Sequence, residues 1–325
     1  PPPGLFAPSD AVEARSIPLG RLWTHIRLAA ELYRHPPDVF FTPAHVIPIT
    51  YHGPGVATIH DLGYLAFPEA HTRRQLAYLR WSTAHNARRG RRVIADSIAT
   101  KVDLSRHYGI APDKIDVIYP GLDPSLRPVK DEAELVRATA SYGIQPPYLL
   151  SIGTIQPRKN LARLVEAYAA SGVAAQLVLA GKIGWRAEPI LDAVKRHQRQ
   201  LSNGQPAIIV PGFVPDEDKA ALISGAEALL FPSLYEGFGF PVLEGNMCKT
   251  PVLAANSSSL PEIADEAALL IDPLDTHAIS ESIGRIVADR DLRDTLVEAG
   301  QVNVKRFSWE TAAQHVLAIL EEAAA

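Results

Sequence analysis

The chain has a single cysteine, Cys248, so no intrachain disulfide can hold its fold. That usage fits a reducing compartment. No apolar run approaches the roughly 18 residues that a membrane span needs, and no secretory signal pattern is visible. Charge of neither sign dominates. The formal net charge is −4 and the isoelectric point is near 6.3, which gives no overall pull toward nucleic acid. An initiator methionine is also missing, since the sequence opens Pro1-Pro2-Pro3, and this points to a processed chain or a fragment. What is present is an ordinary globular composition, 47% hydrophobic and 21% charged, and 325 residues suffice for two domains.

The most informative stretch is Phe231-Pro-Ser-Leu-Tyr-Glu236-Gly237-Phe238-Gly239-Phe240-Pro241-Val-Leu-Glu244. It opens on the tail of a short apolar run, passes through turn residues, and reaches Pro241, which is tolerated in the first turn of a helix. The reading is strand, glycine-bearing loop, helix. Such a loop aims backbone N–H groups and the positive end of a helix dipole at its occupant, which suits a phosphate. Glu236 on the loop and Glu244 one turn into the helix could flank a polyol, because carboxylates accept hydrogen bonds from paired hydroxyls. Taken alone, two glutamates eight apart and one Gly-x-Gly also fit an ordinary turn.

Residues 1–20 are proline-rich and read as a loop or linker. Over 22–33, Leu22, Ile26, Ala29, Leu32 and Tyr33 recur at helical spacing and predict an amphipathic helix. Apolar runs at 38–41, 56–59, 93–95 and 115–118 predict short buried strands. The second ends directly on His60-Asp61, at the strand end where open α/β sheets bind ligands. On the residues alone, Asp61 capping a turn with His60 packed locally is the plainer reading. Residues 71–92 carry seven arginines interleaved with Leu76, Leu79 and Trp81. That pattern fits a solvated helix face or a helix that meets an anionic surface. Ser97 is placed to cap a helix over 98–108, and 124–147 reads as a charged helix between prolines. From there, apolar runs at 148–152, 176–180, 207–210, 228–231, 251–254 and 268–271 alternate with helical patterns. Strands separated by helices imply a parallel, doubly wound sheet, followed by a last helix over about 309–322.

Several motifs in order carry a family resemblance. They are the Glu236…Glu244 stretch with Thr250-Pro251-Val252, Leu260-Pro261-Glu262-Ile263, Gly153-Thr154-Ile155-Gln156-Pro157-Arg158-Lys159-Asn160 and Ile59-His60-Asp61. Together they resemble glycosyltransferase family 4, retaining enzymes of the two-domain GT-B fold. The likeness is nearest to bacterial members that transfer mannose or related hexoses in surface polysaccharide assembly. It implies an α/β protein of two Rossmann-like domains. Residues 1–130 would form the acceptor side, 131–147 a connection, and 148–325 the nucleotide-sugar side, with the last helix crossing back. Complete members open with a further strand and a glycine-rich loop that are not found here, so the first domain is expected to be truncated.

The resemblance also implies an activity: transfer of a mannose- or glucose-type hexose from a GDP- or UDP-hexose to a saccharide or lipid-linked acceptor, with no cofactor. It places His60 near the transferred sugar and the acceptor, Glu236 at the transferred sugar and Glu244 at the ribose. Gly153, Arg158 and Lys159 would meet the pyrophosphate, with Arg158 standing in for an arginine that the family more often has where this chain has Thr154. Gly237, Phe238 and Gly239 would lend N–H groups, and Val214 would border the nucleobase, although a core turn fits Val214 as well. Two cations at a helix N-terminus oppose its dipole, so an anion is expected between them. No Asp-x-Asp joins a strand to a loop as in metal-dependent transferases, which predicts metal independence. No protein nucleophile is named, since the family's retention is explained by front-face attack. A cytoplasmic protein follows, with peripheral membrane contact through 71–92 and no nucleic-acid partner. The alternative is a non-catalytic sugar-nucleotide-binding remnant or partner subunit. An epimerase of the same fold is disfavoured by the two glutamates in their Gly-Phe-Gly context.

Overall fold

The computed structural model describes Glu13, Arg15, residues 23–44 and residues 46–325. Most of the proline-rich stretch and Leu22 lie outside the described residues. Two all-parallel sheets account for the described strands. The first contains β1 (Phe40–Thr42), β2 (Gly55–Ile59), β3 (Arg92–Ala95) and β4 (Ile115–Val117), in that spatial order. The second contains β5 (Tyr148–Ile152), β6 (Gln176–Ala180), β7 (Ile208–Gly212), β8 (Ala228–Phe231), β9 (Val252–Ala255) and β10 (Leu269–Ile271), ordered 10-9-8-5-6-7. Its strand order therefore reverses between β5 and β8, and the crevice outside such a reversal is where open α/β sheets take ligands.

Burial explains why these runs form strands. β6, β8 and β9 are buried at every position, as expected of strands covered by helices on both faces. β7 extends through Pro211 and Gly212, beyond the apolar run at 207–210. Pro211 has no N–H to give a ladder, and it is tolerated because β7 is the sheet edge, where pairing with β6 shifts register between Val178 and Ala180.

Two segments differ from expectation. The first helix is not regular: a π-helical turn, Thr24–Leu28, precedes the α-helix Ala29–Arg34. Each π turn takes an extra residue and rotates the side chains that follow. Ala29 and Leu32 are consequently buried, whereas Ile26 and Tyr33 are exposed. The basic helix runs only over Arg73–Arg89, opened by a capping box of Thr72 with Gln75. Arg92 lies in β3 and pairs with Asp116, while Arg91 donates to the carbonyl of Ala323. The connecting segment contains the expected helix and is packed. Leu126, Val129, Ala138 and Ile144 are buried in the same cluster as the second sheet, and the helix Glu132–Ser141 lies along the helix Asp216–Ser224.

The last helix, Trp309–Ala324, returns to the first sheet. Ala312, Ile319 and Ala323 pack with Val56, Ile94 and Ile118. Its start passes so close to Gly121 that an added Cβ would stand 2.2 Å from the Trp309 nitrogen. Only glycine admits that approach.

Candidate functional site

The strand reversal brings two loops together. One leaves β5 through Gly153 and Thr154 and reaches the 3-10 turn Pro157–Lys159. The other leaves β8 and carries Tyr235 to Gly239 before the helix Phe240–Met247. Gly153 has φ of 139°, and an added Cβ there would meet the Lys159 chain at 3.6 Å. Lys159 Nζ also lies 4.6 Å from the centre of the Phe231 ring. Asn160 adopts a left-handed conformation and donates through Nδ2 to the Pro273 carbonyl, and the helix Leu161–Ser171 starts directly after it.

Glu236 lies between the two cations. Its Oε2 accepts from Arg158 Nη1 at 2.6 Å and its Oε1 from Lys159 Nζ at 2.7 Å. Arg158 Nη1 also donates to the Tyr235 carbonyl at 2.6 Å. All three side chains are largely buried, with relative exposures of 10% for Glu236, 12% for Lys159 and 23% for Arg158. Burial alone would raise the Glu236 carboxyl, but Lys159 and Arg158 overcome it and hold the group below the usual carboxylate value. For Lys159, burial lowers the ammonium while Glu236 opposes the shift. The anion expected between the cations is thus supplied by the protein, because the β8 loop inserts Glu236 there.

Glu244 accepts from Lys219 Nζ at 2.5 Å, and its charge also acts on Lys159. Three cations and two carboxylates therefore form one network with a single positive charge in excess. Charge that is partly desolvated in this way acts more strongly on an incoming anion than it would in water.

Other expected positions fall differently. The Val214 side chain is buried in the second core. Its neighbour Phe213 is exposed, with Lys182 Nζ 4.5 Å from its ring centre, so Val214 can line a ligand only through its main chain. Phe238 is also buried, against Phe240 and Phe307 and near Tyr119. It packs at the domain boundary. Gly237 lies against the first domain, where an added Cβ would stand 2.4 Å from the His60 carbonyl oxygen. Gly239 has φ of 124°, and an added Cβ would clash with Leu260.

The first domain faces these loops with His60 and Asp61 at the end of β2. His60 Nδ1 lies 2.7 Å from Asp96 Oδ2, and Nε2 lies 2.8 Å from the Pro43 carbonyl oxygen. The Asp96 hydrogen bond raises the imidazole above its ordinary value, against partial burial. Two cavities adjoin here. One of about 330 Å³ includes His60, Asp61, Tyr64 and Asn86. The other, about 360 Å³, lies between the domains and includes Asp61, His71, Gln156, Arg158 and Trp185.

Residues with no expected role at the site join the two sides. Tyr235 donates to Asp103 at 2.8 Å and accepts from the Leu62 N–H at 3.1 Å. Ser97 donates to the Gly237 carbonyl at 2.6 Å. Glu262 accepts from the N–H groups of Ile98 and Ala99, capping a first-domain helix from the second domain. Tyr235 and Glu262 stand inside the motifs that carry the resemblance, so a signal existed for them. Asp96, next to the capping Ser97, and Lys219 carried no site signal.

Comparison with known proteins gives these features a family. Residues 138–303 match the model of glycosyl transferases group 1, and residues 7–126 match that of glycosyltransferase family 4. The O-antigen chain mannosyltransferase B of Escherichia coli is 30% identical over 311 residues, spanning 90% of this chain and 80% of that protein. The serotype-specific mannosyltransferase WbdA of Escherichia coli is 26% identical over 223 residues, which cover 68% of this chain but 27% of WbdA. Among solved structures, sucrose-phosphate synthase from Thermosynechococcus elongatus superposes with a TM-score of 0.74 at 24% identity, covering 91% of this chain and 76% of that one. Anabaena Alr3699/HepE, solved with UDP and glucose, superposes with a TM-score of 0.74 at 19% identity, covering 94% and 84%. These two likenesses establish the GT-B fold. The chain belongs to the glycosyl transferases group 1, and it is a glycosyltransferase.

Proposed function

We propose that this chain transfers a hexose, mannose before glucose, from a GDP- or UDP-sugar to a saccharide or lipid-linked acceptor, with retention of configuration and without a metal ion. The observation that carries the reading is the convergence of Arg158 and Lys159 on Glu236 at the strand reversal, within a network that keeps one positive charge in excess. A donor pyrophosphate would compete with Glu236 for those cations. Glu236, once released, would accept hydrogen bonds from hydroxyls of the transferred sugar, and Glu244 from the ribose. As the glycosidic bond breaks, negative charge grows on the leaving phosphate, where preorganised cations stabilise it most. The leaving oxygen then takes the proton of an acceptor hydroxyl attacking from the same face. Mannose is favoured because mannosyltransferase B and WbdA carry that activity in their names.

The direct test is turnover of GDP-mannose, UDP-glucose and their exchanged nucleotides in the presence of a chelator, with the anomeric configuration of the product read by NMR. Inversion, or activity that requires added metal, would remove the corresponding part of the reading. Membrane contact belongs to the same proposal. The helix Arg73–Arg89 exposes Arg73, Arg74, Arg80 and Arg88 beside Tyr78 and Trp81, a composition that suits an anionic lipid surface. No helix among the described residues is long and apolar enough to cross a membrane.

A further inference from the structure

Pro43, His60 and Asp96 are each the first residue beyond a strand, following β1, β2 and β3 in turn. These three strands are neighbours in the first sheet. The imidazole of His60 bridges the other two positions, with Nε2 2.8 Å from the Pro43 oxygen and Nδ1 2.7 Å from Asp96 Oδ2. A peptide carbonyl can only accept, so Nε2 carries a hydrogen. A carboxylate oxygen also accepts, and a bare Nδ1 lone pair facing it would be repelled, so Nδ1 carries a hydrogen too. We propose that Asp96 is a positioning residue that holds His60 as an imidazolium, making the pair a protonated staple across the carboxyl ends of β1, β2 and β3.

The surroundings favour that state. Asp96 and Asp61 are the charged groups acting on the ring, and both are acids. Asp61 itself accepts the Gly63 N–H through Oδ1 at 2.7 Å. The neighbouring helix Arg73–Arg89 contributes only uncharged groups, Tyr78, Ser82, Thr83 and Asn86, to the shared cavity. From the second domain, Gly237 packs against the His60 carbonyl oxygen, which also accepts from Thr100 Oγ1 at 3.2 Å. Main chain and ring are therefore both fixed, and neither ring nitrogen is left to receive a proton. His60 cannot act as the base for an acceptor hydroxyl while the staple holds. This consequence rests on the transfer reaction proposed above, whereas the protonation state does not.

The sign of the pH dependence follows. A histidine whose value is raised by folding stabilises fully below its ordinary value of 6.5 and loses that contribution as pH rises through the raised value. The experiment is ¹⁵N NMR of the full chain with labelled histidine, with His60 assigned by H60Q, together with thermal unfolding from pH 5 to 9 for wild type, D96N and D96E. In wild type at pH 7 both His60 nitrogens should be protonated, with a midpoint above 6.5. D96N should bring the midpoint down toward the ordinary histidine value, and D96E should restore it. The stability difference between wild type and D96N should be largest below pH 6.5 and fade above it. Turnover of GDP-mannose by D96N should lose its basic limb at correspondingly lower pH. A wild-type His60 with one protonated nitrogen at pH 7 overturns the proposal, as does a D96N defect equal at every pH. If D96N fails to fold, the wild-type titration decides alone. If no donor is turned over, the transfer reading fails while the spectra and unfolding curves still judge the staple.

Discussion

The two walls of the cleft carry charge in different ways. On the second-domain wall, five buried or half-buried charged side chains interlock and leave one positive charge over. On the first-domain wall His60 pairs with Asp96, and Asp61 stands beside them as a second acid, so no positive charge is left in excess. The supporting cores differ in the same direction. A single contiguous cluster runs beneath the second site, whereas the first sheet is backed by smaller separate clusters, one of them completed by the returning last helix. Excess positive charge that is partly desolvated favours an anion at the second-domain wall. The first-domain wall, with cavities of about 330 and 360 Å³ in and beside it, presents a histidine and two acids instead of a cationic cluster.

Removing the anion from the charged wall should break this contrast most severely. In Glu236→Gln, Arg158 and Lys159 are left buried without their partner, which typically costs about 3–5 kcal/mol. Chemical denaturation should show that loss without nucleotide, and a nucleoside diphosphate should restore more stability to the variant than it adds to wild type. Activity should fall at least as far as for Lys159→Ala. In Lys159→Ala one charge-assisted hydrogen bond of about 1.5–3 kcal/mol is lost, which corresponds to a ten- to hundredfold fall in kcat/KM. Kinetics with saturating acceptor would check it, and an unchanged kcat/KM would remove Lys159 from the donor site.

Gly237→Ala probes where the walls touch. Its Cβ would stand 2.4 Å from the His60 oxygen and 2.6 Å from Asp61 Cβ, so the walls must separate by a fraction of an ångström. An overpacking cost of about 1–3 kcal/mol is expected, with turnover reduced and nucleotide affinity retained, as calorimetry beside an activity assay would show. The smallest effect is that of pH on the Glu236 pair. Its carboxyl is lowered by folding from 4.5, so its contribution is complete above that value and is lost as pH falls through the folded one. The unfolding difference between wild type and Glu236→Gln should shrink only in acid.

Much of the architecture was legible because strand patterns here are short, apolar and well bounded. β5, β6 and β8 fall where their runs do, since buried parallel strands leave little else for such runs to become. The first helix lies where its pattern put it, but Ile26 and Tyr33 face outward because a π turn obeys no 3.6-residue period. At the site, types and order of residues pointed to Arg158, Lys159, Glu236 and Glu244. Their pairing did not follow from spacing, since Glu236 reaches the cations only through the 10-9-8-5-6-7 strand order. At Val214 and Phe238 the side chains are buried in packing, which the sequence pattern did not reveal. Asp96 sits 36 residues from His60, and only the adjacency of β2 and β3 brings them together.

The most direct measurement of the central claim is calorimetric titration of GDP and UDP, each with and without its hexose, into wild type, Lys159→Ala and Glu244→Ala. The account predicts that one nucleotide binds wild type, that Lys159→Ala weakens the diphosphate about ten- to hundredfold, and that Glu244→Ala weakens it through the ribose. Equal affinity in all three proteins would contradict the account, because the nucleotide would then bind away from the strand reversal.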